Sequence, residues 1–479
     1  MATPARVMEL ARKTGTPQWW VTKLAEKHSA RLASLRKYLN YYEGDQDLSF
    51  ASEKFKEHFG GMLKELSVNI CGVIVQAMVE RMKVQGISVP TNEEDPNKPQ
   101  RAFDEDAWAM WQRNSLDARS QEHHTGTATT GYGYMTVWGD GDDRAVITVE
   151  DPLQMIVAYG SGTPRRRAAA LKRWIDEWTG FEFATLYLPD TIHRFKSTNA
   201  SQQVNGVYSF QPAQDVSWVP RGDEAEQVID NPLGAVPVVE FLNDPTVRGE
   251  GRSEIASIIP IQDAINKLVC DMILASEFAA WPQRVLMGVE PIIDKDGKPV
   301  APFKASIDRV WALGNENAKA MQFQAADLTN YVKSKESLLQ DAAFISRTPR
   351  HYFMQSGQAP SGDSIKGGET GLVAKVKDRQ VPHSESYEEV TRLGFLIEGE
   401  KAKALVLDAE VKWKDPEYRT EGELTDAVIK QFQANLIPWE FAVDRLGYSP
   451  QDMEKMRKQR TSEMLLANGA DLAKILTEE

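Results

Sequence analysis

The chain is 479 residues long, 42% hydrophobic and 26% charged, with a formal net charge of −13. That length allows about three domains at roughly 150 residues each, and the composition is that of a folded chain with ample core material, which excludes wholesale disorder. The acidic balance disfavours a generic binder of nucleic acid or anionic membrane, which needs cations to displace counterions; it leaves room for a protein past which DNA slides without being gripped.

Only two cysteines occur, Cys71 and Cys270, both inside apolar stretches. They exclude a disulfide scaffold and a Cys-rich zinc module, and predict two buried thiols in a reducing compartment. The opening "MATPARVMELARKTG" has no apolar core of the kind a secretory signal needs, and no stretch approaches the roughly 20 apolar residues of a membrane span. A soluble, cytoplasmic, non-secreted protein is expected.

Residues 17–42 place Trp20, Leu24, Leu32, Leu35 and Leu39 at helical spacing, and 66–83 repeat the pattern through Ile70, Val73, Ile74, Ala77 and Met78. The polar loop "PTNEEDPNKPQ" precedes a helix with Trp108 and Trp111. After Gly131 two β-rich runs are joined by "GDGDD", a hairpin signal, and "EFATLYLPDTIHRFKS" and "VPVVEFLND" also read as strands. Mixed α+β is the reading for residues 1–250, with a loop at 197–206. Residues 251–281 are the most periodic stretch, with Ile255, Ile258, Ile261, Ile265, Leu268, Met272 and Ile273 three or four apart; Ser253 is the expected N-cap and Pro260 is expected to kink or delay the first turns. As one helix these 31 residues would span about 46 Å. A β-like insert follows at 282–324. Its "DKDGK" is no calcium loop, because the first ligand position falls on Ile292; Asp296-Gly297 reads as a tight turn between Ile293 and Val300. A second helix, capped by Asp327, runs to about Arg347 on a stripe of Leu328, Tyr331, Leu338, Leu339, Ala342 and Ile345, and Pro349 ends it. A third runs from about Ser361 to Gly399, disturbed at Pro382. The remainder is mostly helical, with Ser449 capping a helix that carries Asp452 and Glu454 in its opening turns.

Between the second and third helices lies "SGQAPSGDSIKGG", which from Gly357 has the glycine spacing of a phosphate-binding loop. That chemistry needs a lysine where Asp363 stands, and a strand where a helix precedes; a carboxylate there repels the β- and γ-phosphates. The glycines instead predict a mobile loop, with Ser361 or Asp363 capping the next helix. His123-His124, the only histidine pair, is adjacent on a helix, so its rings face different ways and no shared metal is expected. The basic run "PRRRAAALKRW" (164–174) reads as a solvated helix face or strand edge, with contact to DNA or a partner subunit as the alternative. The twelve tryptophans read as core or interface anchors. No Ser-His-Asp or Cys-His signature appears, and no enzyme emerges.

The order of long helix, small β insert, return helix, glycine-rich loop and another long helix resembles the portal proteins of tailed bacteriophages, closest to the SPP1-like portals of actinobacterial phages. The likeness is carried by "YYEGDQDL" (41–48), "NICGVIVQAMVERMKVQGI" (69–87), "EDAWAMWQRNSLDARSQEHH" (105–124), "EDPLQMIVAYG" (150–160), "GRSEIASIIPIQDAINKLVCDMI" (251–273), "SRTPRHYF" (346–353), "SGDSIKGGETGLVAKVKDRQ" (361–380) and "LGYSPQDM" (446–453). The resemblance implies an α+β, mainly helical chain assembled as a ring, usually twelvefold. It implies a wing at 1–250, a first stem helix at 251–281, a clip at 282–326, a second stem helix at 327–348 and a tunnel loop at 349–361. A long linking helix at 362–399 and a helical crown at 400–479 complete it. It further implies a non-enzymatic conduit for double-stranded DNA at one capsid vertex, used for packaging and ejection and assembled in the host cytoplasm. No cofactor, metal or membrane is implied. Expected partners are the major capsid protein, the terminase large subunit, later a head–tail adaptor, and a scaffold protein. Arg350, Gln355, Ser356, Gln358 and Lys366 are the channel candidates, Arg350 pairing with a neighbouring subunit's carboxylate being the alternative. Glu290, Asp294, Lys295, Lys298 and Lys304 are the docking candidates on the clip. Rival readings are another head–tail connector or minor capsid protein, usually shorter and lacking the helix–insert–helix, and a nucleoside triphosphatase or nuclease.

Overall fold

The computed structural model describes residues 13–46, 68–90, 104–160, 166–204, 207–280, 284–287, 292–293, 299–300, 319–322, 327–353, 362–417, 421–448, 453 and 455–462. Contacts divide the chain into a large unit, Met1–Pro416, and a small one, Glu417–Glu479.

Helix α1 (Pro17–Glu43) starts where Thr16 Oγ1 accepts from the Trp19 N–H at 3.2 Å with proline in the first turn, and stops at Gly44, whose φ of 83° a glycine adopts without penalty. Its buried residues Val21, Leu24, Ala25, His28, Leu32 and Leu35 fall on one face. Helix α2 (Ile70–Val79) is capped by Asn69, which accepts from Gly72 N–H at 3.0 Å. It is shorter than the periodic stretch, because Val84–Ser88 leaves it as strand β1. Helices α3 (Glu105–Arg113) and α4 (Leu116–Thr130) follow.

Strands β2 (Tyr132–Gly139) and β3 (Ala145–Glu150) form the expected hairpin around "GDGDD". Strands β4 (Met155–Tyr159), β5 (Arg167–Ile175), β6 (Phe181–Tyr187), β7 (Thr191–Ala200) and β8 (Trp218–Pro220) form an antiparallel sheet in the order β8-β7-β6-β5-β4, with β9 (Val228–Asp230) also on β7. The basic run is thereby corrected. From Arg167 on it is neither a helix face nor an edge: β5 lies between β4 and β6, and Arg173 is fully buried, its Nε 2.7 Å from Glu182 Oε2 and its other nitrogens on Ser29 Oγ and the Gln211 carbonyl. A guanidinium can be central when a carboxylate and two neutral acceptors satisfy its donors. Strand β10 (Val238–Leu242) pairs with β2 to complete a three-stranded sheet.

Helix α5 (Ile259–Ala280) has 22 residues, not 31. Residues 254–258 are turns, Ser253 Oγ accepts from Ile255 N–H at 3.3 Å and so caps that turn, and Pro260 takes the first turn of the helix, where its missing N–H costs nothing. The helix is therefore about 33 Å long. In the insert, β11 (Arg284–Met287) pairs with β14 (Lys319–Gln322) and β12 (Ile292–Ile293) with β13 (Pro299–Val300), so Ile293 and Val300 do flank a hairpin; Asp296-Gly297 itself lies outside the described residues. Helix α6 (Thr329–Ser346) begins where Asp327 Oδ1 accepts from Thr329 N–H at 2.9 Å and ends at Arg347 in the left-handed region.

Helix α7 (Gly362–Ile397) runs unbroken through Pro382. The expected disturbance is absent because both halves of α7 are buried. Leu372 and Val376 join the core that contains α2 and α5, while Tyr387, Val390, Leu393 and Phe395 join the core under β2 and β3. One lost backbone bond at a proline does not outweigh burial of that order. Strand β15 (Glu410–Trp413) pairs with β1 across most of the chain's length. In the small unit, α8 (Glu421–Gln433) and α9 (Trp439–Arg445) are described; Ser449 and Asp452 are outside the described residues.

Candidate nucleic-acid interface

The sequence singles out the stretch from α5 through α7. Its geometry begins at Gly251, whose backbone lies against the Gly131 carbonyl so closely that a side chain on either glycine would collide with the other segment; Gly131 also holds φ +90°. The Glu254 N–H donates to the Ala128 carbonyl at 2.9 Å, and Asn243 N–H to that of Gly131 at 3.0 Å. The segment leading into α5 is thus fixed to the end of α4.

The first half of α5 and the turn before it are buried, with Ile265 of the helix and Ile255 and Ile258 of the turn fully enclosed in a core shared with α2, Leu339 and Ala342 of α6, and Leu372 and Val376 of α7. Its polar positions are used too. Gln262 Oε1 accepts from Ile70 N–H at 2.8 Å, Asn266 Oδ1 from Val68 N–H at 3.1 Å, and Asp263 Oδ1 from the Tyr41 hydroxyl at 2.7 Å. Cys71 and Cys270 are both buried and free, and burial pushes the Cys71 thiol up to about 12. Helix α6 differs. Of its expected stripe only Leu339 and Ala342 are fully buried, while Phe344 is 86% exposed and Val332 and Ile345 are about half exposed.

Two charged centres, neither readable from the sequence, join these helices. Buried Glu254 receives Arg379 Nε at 2.6 Å and Asn243 Nδ2 at 2.9 Å, with Lys375 Nζ at 3.4 Å; Lys375 also donates to the Ser346 carbonyl at 2.9 Å. Burial alone would raise the Glu254 carboxyl, but the two cations and their hydrogen bonds win and hold it below the usual range; burial pulls the Lys375 ammonium down. The only trace in the sequence is that Lys375 and Arg379 occupy the stripe shared by Leu372 and Val376. The second centre is Arg81, which bonds Glu369 at 3.0 Å, the Tyr352 hydroxyl at 3.1 Å and the Pro416 carbonyl at 3.1 Å. Tyr352 donates in turn to Glu80 at 2.7 Å. Residues 350–352, one turn before the glycine-rich stretch, are thereby tied to α2 and α7.

Arg350 is exposed on that turn. Gln355, Ser356 and Gln358 lie outside the described residues; Lys366 is in the first turns of α7, its side chain outside what is described. Glu290, Asp294, Lys295, Lys298 and Lys304 also lie outside the described residues. The segment before the glycines is a helix and a short turn, not the strand that a phosphate-binding loop requires. His123 and His124 are both buried: His123 packs edge-on to Phe241 at 4.2 Å, and His124 meets the Tyr387 hydroxyl at 2.9 Å with His383 at 5.4 Å. Among the described residues no group of three His, Cys, Asp or Glu side chains is placed to hold a metal ion, and no helix is long and apolar enough to cross a membrane.

A family model described as phage portal protein, SPP1 Gp6-like, matches residues 22–464. The portal protein of Mycobacterium phage D29 is 26% identical over 460 residues, covering 91% of this chain and 87% of that protein. The portal protein of Mycobacterium phage L5 is 26% identical over 416 residues, covering 82% and 79%.

Proposed function

The chain belongs to the SPP1 Gp6-like family of phage portal proteins, and on that premise we propose that its copies close into a ring, twelvefold by family resemblance, around a DNA channel at one capsid vertex. The observation that carries this reading is the family match across residues 22–464. Phe344 on α6, 86% exposed, supports it, since an apolar side chain of that size is covered when sister copies stand side by side.

In this reading residues 1–250 form the wing, α5 and α6 the paired stem, 282–326 the clip, 349–361 the tunnel loop and 400–479 the crown. The clip docks the terminase large subunit during packaging and an adaptor afterwards, with Glu290, Asp294, Lys295, Lys298 and Lys304 as its contacts. ATP hydrolysis belongs to the terminase. Arg350, Gln355, Ser356, Gln358 and Lys366 touch the passing duplex, and the acidic balance of the chain keeps that contact brief. The wing meets the major capsid protein, and a scaffold protein where one is used.

Deleting residues 354–360 tests the loop. The expected outcome is rings that form normally, seen by negative-stain imaging, but package or retain less DNA. Collapse of the ring would make the loop architectural instead.

A further inference from the structure

The two faces of the β4–β8 sheet differ in a way that the stem and channel do not explain. One face packs on α1 through Ala169, Leu171, Ala184, Leu186 and Phe195. On the other, the rung Trp174–Phe183–Lys196 lies beside the rung Lys172–Thr185–Arg194, and Arg221 leaves β8 with its N–H on the Arg194 carbonyl at 3.0 Å. Lys196 sits over Phe181 at 3.8 Å, and the Arg221 guanidinium over Phe183 at 4.9 Å and Trp174 at 5.1 Å. Lys172 is neutralised by Glu150 at 2.6 Å. Arg194, Lys196 and Arg221 have no carboxylate within ion-pair distance among the described residues, although the chain as a whole is acidic. Burial, then the neighbouring Arg194, pushes the Arg221 ionisation down, and the opposing pull of Tyr187 and Glu226 does not make up for it.

The same end of the sheet presents Trp178, 90% exposed, on the β5–β6 turn. That turn is rigid: Asp176 Oδ1 accepts from the Trp178 N–H at 3.0 Å, the Thr179 N–H at 2.8 Å and the Thr179 hydroxyl at 2.9 Å.

We propose that this face of the sheet, through Arg194, Lys196 and Arg221, binds the phosphate backbone of duplex DNA outside the channel. Cations two residues apart on a strand stand about 6.8 Å from each other, and their neighbours on adjacent strands about 4.8 Å away, a grid of positive charge that successive phosphates can satisfy. The aromatics beneath hold the cations upright and supply no acceptor that would compete. A double-stranded partner offers no open base faces, so Trp178 packs against the sugar–phosphate edge; a single strand would instead stack on it.

The test uses the full chain and covalently closed circular duplex DNA, which cannot thread a closed ring, so the outcome is independent of the channel reading. Filter binding across a salt series compares wild type with R194Q/K196Q/R221Q and with a matched control, K377Q/K401Q/K414Q. Loss of three phosphate contacts lowers the slope of log K against log salt by about 2.7, and the single variant K196Q by about 0.9, while the control leaves it unchanged. Thermal melting confirms that each variant folds. An unchanged slope in the triple variant overturns the proposal, as does an equal loss in the control. Preference for circular single-stranded DNA, abolished by Trp178→Ala, overturns the duplex assignment, and poly-glutamate binding with no duplex binding assigns the face to an acidic protein.

Discussion

The two helices that flank the β insert are covered very differently by the rest of the chain. Helix α5 hides Ile259, Ile265 and Cys270 and spends Gln262, Asp263 and Asn266 on hydrogen bonds to the α1–α2 region, whereas α6 hides only Leu339, Ala342 and Ser346 and leaves Phe344 in solvent. The first helix is held by its own chain; the second leaves Phe344 uncovered among the described residues. In physical terms α5 carries fold stability, and under the proposed ring α6 would carry assembly.

Substitutions separate the two roles. Glu254→Ala strands Lys375 and Arg379 beside a buried site, and the expected loss is about 3–5 kcal/mol, read by chemical denaturation. Ile265→Ala removes a fully enclosed side chain from α5 at an expected 2–5 kcal/mol, about as large, with no new oligomer formed. Phe344→Ala should shift the denaturation midpoint by less than about 0.5 kcal/mol and yet weaken ring formation, because its side chain touches little within one copy. Equal destabilisation by Ile265→Ala and Phe344→Ala would remove the contrast between the helices.

Acid sharpens it further. Burial, then neighbouring histidines, holds His123 and His124 well below their usual value; burial alone outweighs the rest for His383, which falls to about 4. Depressed folded values mean that the unfolded chain binds protons first, so the stability from these neutral rings is present above about pH 6.5 and is lost as pH falls toward 4. Each ring contributes at most about 1.4 kcal/mol per pH unit in that window. His383→Phe should flatten the pH dependence of the denaturation midpoint between 6.5 and 4.5; an unaltered slope would show that the core is not where the protons go.

Much of this architecture was legible in the sequence, because it rests on local signals. Apolar spacing marked α1, α2, α5 and α6; Asp327 does accept from the first turn of α6, and "GDGDD" marked the β2–β3 hairpin. The misreadings came from tertiary context. Pro382 lies in α7 without breaking it because two separate cores hold the helix on either side. Arg173 reads as surface until Glu182, nine residues on, is brought beside it by the β5–β6 pairing. Arg81, Tyr352, Glu369 and Pro416 meet across some 335 residues of chain, and no window of sequence contains that contact.

The most direct measurement is a structure of the assembled particle by electron cryomicroscopy. The prediction is a ring with an open axis in which the Phe344 face of α6 is buried against a neighbouring copy. Single copies at every concentration, or a ring that leaves Phe344 in solvent, would contradict it.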